Sequence, residues 1–142
     1  MTTLLALAVC ATFLVLAGWH FYMAFLPLAG ESGAVPSVGG KPVFVPTMRA
    51  TIGVGLVLTA FAGLVATTAG FLPIPLPGLL LTWLMYGLAL GLLARAIGEF
   101  RYVGFFKRVR GSRFARLDTW VYSPLCLLLA AGVALVGLHR AA

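Results

Sequence analysis

The chain has 142 residues, 62% of them hydrophobic and only 9% charged, with ten Lys and Arg against three Asp and Glu. Soluble domains carry about 25% charged residues, so an ordinary water-soluble domain is excluded. A mean hydropathy of +1.09 makes lipid the expected main solvent.

About 20 apolar residues cross a bilayer as a helix, and hydrocarbon tolerates few other solutions for the backbone. The continuous apolar runs predict four transmembrane helices, over about 3–28, 48–70, 77–98 and 118–138, in one compact all-α bundle over 1–142. A β-barrel would instead alternate apolar and polar residues in short segments.

The first span lacks a basic leading region and its apolar run outlasts the roughly 7–15 residues of a signal peptide, so it is expected to be retained. Near its end stand Trp19, His20 and Tyr22. His20 reads first as a member of an interfacial aromatic belt, with a titrating site as the alternative. The connector that follows, VPSVGGKPVFV over 35–45, sets two β-prone runs about Gly39 and Gly40, while Pro36 and Pro42 each remove a ladder donor. It is either a small hairpin or an irregular loop.

The second span carries Gly55, Thr59, Gly63 and Thr67 at four-residue spacing, and the third carries Gly87 and Gly91. Such stripes let helices approach closely. They serve packing within the bundle or a homo-oligomer interface, through Gly87 and Gly91 or Gly55 and Gly63. Between these spans, Pro73, Pro75 and Pro77 impose a stiff, uncharged turn.

The connector over 99–117 interleaves aromatics with cations. On a helix, Tyr102, Phe106 and Val109 would share one side and Arg101 and Arg108 the other, which predicts a segment lying along the membrane surface. Lys107, Arg108, Arg110, Arg113 and Arg116 are then the expected contacts to anionic lipid headgroups; nucleic acid is not expected as a partner. The fourth span is expected to start at the capping pair Asp118 and Thr119 and to kink at Pro124.

Nine of the ten cations flank the first and third connectors, and Arg140 alone lies at the other end. By the positive-inside rule both connectors are expected in the cytoplasm and both termini outside, in the periplasm if the host is Gram-negative. His20, Tyr22, Arg49, Arg95, Glu99, Arg101, Asp118 and Tyr122 then gather at the cytoplasmic mouth of the bundle. Arg95 and Glu99, four apart on one helical face, are the expected ion pair. Cys10 and Cys126 lack metal-ligand spacing, and no metal or cofactor is expected.

The run RAIGEFRYVGFFKRVRG over 95–111, with RFARLDT over 113–119 and YSPLC over 122–126, resembles the C-terminal signature of a bacterial membrane family catalogued as domain of unknown function 3995. WHFY over 19–22 and AVP over 34–36 extend the resemblance over most of the chain. It implies a short multi-span protein and supplies no activity. Three functions stay open. The first is a non-enzymatic protein whose basic loop contacts anionic lipid or a partner protein. The second is a small enzyme on an amphiphile, with Glu99 or His20 as acid or base. The third is an oligomeric transporter or channel, which the apolar outer halves of the spans disfavour.

Overall fold

The computed structural model describes residues 2–26 and 33–141. The elements are α1 (Thr2–Ala24), a two-stranded hairpin of β1 (Ser37–Val38) and β2 (Lys41–Pro42), α2 (Met48–Thr68), α3 (Gly78–Ile97), α4 (Arg113–Leu117), a π-helical turn (Asp118–Tyr122) and α5 (Ser123–Ala141). The last three run on without a break, so four helical stretches are long and apolar enough to cross a membrane. The expected end of the first span at Leu28 lies outside the described residues, as does Glu31.

Local chemistry sets the ends. Thr47 caps α2 by accepting the Ala50 N–H at 3.2 Å. At the far end of α2 Gly70 adopts φ +79, its N–H reaches the Thr67 carbonyl and that of Phe71 reaches Ala66, the Schellman pattern that ends a helix at a left-handed glycine. The fourth span begins five residues earlier than the sequence suggested. Ser112, not Asp118, is the cap, its Oγ accepting the Ala115 N–H at 3.1 Å. The kink expected at Pro124 has its counterpart one turn earlier: in the π turn the Ser123 N–H bonds to the Asp118 carbonyl, five residues back.

The helices pack as two pairs. α1 lies along α2 and α3 along α5, and α5 also touches α1, whereas α2 and α3 meet only sparsely. The core where the pairs join is Phe13, Val65, Met85 and Val133, each fully buried. Phe13 and Phe61 meet edge to face at 5.7 Å between ring centres. Glycines seat the bulky partners: Gly55 faces the Phe21 ring, Gly132 faces Val9 and Gly137 faces Met85. Gly55 is thus buried inside the chain against α1. Gly87 and Gly91 stay exposed on α3 with open space beside them.

The connectors sort to the two ends. Arg140 at the end of α5 donates to the Thr68 carbonyl of α2 at 3.2 Å, which places the α5 terminus beside the end of α2. At the opposite end the first and third connectors touch. Gly33 packs against Leu117 and Arg113, and its carbonyl accepts the Tyr122 hydroxyl at 3.1 Å. The first connector is a hairpin, with Ser37 opposite Pro42 and Val38 opposite Lys41. Gly39 and Gly40, both at positive φ, make the tight turn that its twist requires.

Candidate functional site

The third connector does not form the expected surface helix. Gly98, Phe100 and Gly104 all adopt positive φ, and the chain doubles back over the end of α3. The Phe105 and Phe106 N–H groups reach the Ala96 and Ile97 carbonyls, so the loop satisfies acceptors that a helix end leaves open. Gly98 and Gly104 cross backbone to backbone, where a Cβ on either would strike the other strand of the loop.

At the centre of this fold-back is Asp118, fully buried at the start of the π turn. Its Oδ1 accepts from Arg95 Nη2 at 2.8 Å, and its Oδ2 accepts from the Gly104 N–H at 2.7 Å and from Lys107 Nζ at 3.0 Å. Lys107 is itself 1% exposed. Its ammonium also donates to the Gly104 carbonyl at 2.9 Å and to Thr119 Oγ1 at 2.6 Å, and the Thr119 hydroxyl donates in turn to the Ala115 carbonyl. A buried ammonium is costly unless its charge is paired and its donors are used, as here. The expectation that Lys107 contacts lipid headgroups is therefore corrected. Its ammonium is the clasp that fastens the connector to the bundle.

Glu99 also changes role. Arg95 pairs with Asp118 across 23 positions and not with Glu99 four residues on. The exposed Glu99 carboxylate accepts the Tyr102 N–H at 3.1 Å and so braces the first turn of the loop.

Of the other residues expected at this mouth, Tyr122 joins the first connector through Gly33, with its ring 5.9 Å from that of Phe114. Arg101 is exposed and its guanidinium lies 5.0 Å over the Tyr102 ring. His20 bonds through Nδ1 to the Leu16 carbonyl of its own helix at 2.8 Å and lines a separate groove of about 280 Å³ with Trp19, Phe44 and Thr51. Tyr22 is exposed against Trp19, and Arg49 is exposed on the first turn of α2. These three take no part in the Asp118 network. Arg108, Arg110, Arg113 and Arg116 are exposed, with Arg110 Nε held by the Lys107 carbonyl at 3.1 Å. Sequence reasoning missed Gly104 and Ser112, and gave Thr119 only a capping role. The available signal was Asp118 itself, the one acid inside the fourth apolar run.

Chemically the network is closed. Both Asp118 oxygens and all three Lys107 donors are occupied, which suits a structural tie better than proton transfer. Two buried polar atoms have no partner among the described residues, Arg95 Nη1 and Ser123 Oγ. No three His, Cys, Asp or Glu side chains converge among the described residues, so no metal cage is formed there.

Four long apolar helices joined by a clasped polar end define a polytopic α-helical membrane protein. Residues 13–133 match the family model described as "Protein of unknown function (DUF3995)", and the chain belongs to that family. No curated protein and no solved structure matches it.

Proposed function

We propose that this is a non-enzymatic integral membrane protein whose clasped third connector presents a rigid arginine face to anionic lipid headgroups. The observation that carries the reading is the division of labour among the cations. Arg95 and Lys107 converge on Asp118, whereas Arg101, Arg108, Arg110, Arg113 and Arg116 are exposed and form no salt bridge among the described residues. Exposed Phe100, Phe106 and Trp120 accompany them, the mixture of aromatics and cations favoured at a membrane interface. Juxtamembrane cations gain about 1 kcal/mol each beside an anionic leaflet, within a Debye length. The positive-inside rule puts this end in the cytoplasm of a bacterial inner membrane, with both termini outside.

Spin-labelled lipids around the reconstituted protein test the reading. Wild type is expected to enrich phosphatidylglycerol over phosphatidylcholine at low salt and to lose that preference at high salt. A variant with Arg108, Arg110, Arg113 and Arg116 all changed to Gln is expected to lose most of that preference. Equal enrichment by both proteins would refute the reading.

A further inference from the structure

Because α2 and α3 meet only sparsely, a groove of about 570 Å³ opens between them along the outside of the bundle. Phe61 and Leu64 of α2 and Trp83, Gly87 and Gly91 of α3 line it, and Arg95 closes it at the connector end. We propose that this groove holds a single phospholipid with an anionic headgroup, its acyl chain along Gly87 and Gly91 and its phosphate at Arg95.

Three observations support that occupant. The first is reach. Trp83 and Arg95 are twelve residues apart on one helix, or about 18 Å. One leaflet contributes about half of a hydrocarbon core roughly 30 Å thick. The groove thus spans about the depth of an acyl chain and ends two residues before the helix does, where a headgroup belongs. The second is charge. Arg95 and Lys107 share the single carboxylate of Asp118, so the hub carries one net positive charge, among the described residues, next to an apolar channel. A neutral lipid would not balance it and an anionic one does. The third is the state of Arg95 itself: its side chain is 35% exposed and lines the groove, while Asp118 holds its Nη2 from the other side. A second copy of the chain packing on the Gly87 and Gly91 stripe is the competing occupant.

This site is separate from the arginine face, and native mass spectrometry distinguishes the two. Protein reconstituted with phosphatidylglycerol, or with phosphatidylcholine of the same acyl chains, is released from detergent and its retained lipids are counted. Wild type is expected to keep one phosphatidylglycerol, on the order of tenfold more often than phosphatidylcholine, whose choline cation cancels the charge of the phosphate that both lipids offer to Arg95. Gly87→Leu with Gly91→Leu fills the groove without touching the hub, since a Cβ at either position meets open space; it is expected to lose the retained lipid at unchanged melting temperature. The variant with four arginines changed to Gln is expected to keep it. Retention of no lipid by wild type, equal retention of both lipids, or a wild-type dimer that the double leucine variant dissolves would each overturn the proposal. The last would assign the groove to a second copy.

Discussion

Lys107 and Asp118, eleven positions apart, meet at 3.0 Å with side chains 1% and 0% exposed, and the pair turns a basic connector back onto the bundle. The pair is productive because it is not alone. The Gly104 N–H and Arg95 complete the carboxylate, and the Gly104 carbonyl and Thr119 complete the ammonium. Desolvating two charges costs several kcal/mol per ion, so a pair lacking these further bonds would not hold the loop.

Asp118→Ala removes the counter-charge of two cations, one of them fully buried, and is expected to lower stability by about 3–5 kcal/mol. Glu99→Ala removes only the exposed acceptor of the Tyr102 N–H, at about 0.5–1.5 kcal/mol. Melting of the detergent-solubilised variants separates them. Equal losses would show that the hub does not dominate this end of the bundle.

Gly104→Ala places a methyl group against the Ile97 carbonyl at a left-handed φ, which costs about 1–2 kcal/mol before the clash is counted. Gly111, in the same connector, has open space beside it, and its change to Ala is expected to stay within about 0.5 kcal/mol of wild type. Limited proteolysis over 98–112 should cut the first variant quickly and the second no faster than wild type.

Gly55→Leu drives a side chain into the Phe21 ring and is expected to cost about 1–3 kcal/mol by overpacking the α1 and α2 contact. Adding Phe21→Ala should recover part of that loss, a coupling that Gly53→Leu, which faces open space, should not show. Additive effects at positions 55 and 21 would place the two residues out of contact.

The four spans are legible in the sequence because hydrocarbon leaves the backbone so few choices, and the ends of α2 and α3 fall within two residues of the apolar runs. The third connector is not legible. Its shape depends on Gly98 and Gly104 crossing at close range, a contact made only once the loop has closed over α3. Charge pattern alone put Lys107 among the surface cations, since nothing local distinguishes it from Arg108 or Arg110. Asp118 looked like a helix cap because acids favour that position, and tertiary pairing with Arg95 and Lys107 overrode the local preference.

Amine labelling tests the clasp most directly, because Lys41 and Lys107 are the only lysines of the chain. Lys41 is exposed at the hairpin, whereas Lys107 is buried with every donor engaged. Treated with a small amine-reactive reagent in its native state, the protein is expected to react quickly at Lys41, and at Lys107 only after unfolding or in Asp118→Ala. Modification of Lys107 as fast as Lys41 in the native wild type would contradict the buried clasp and the rigid arginine face built on it.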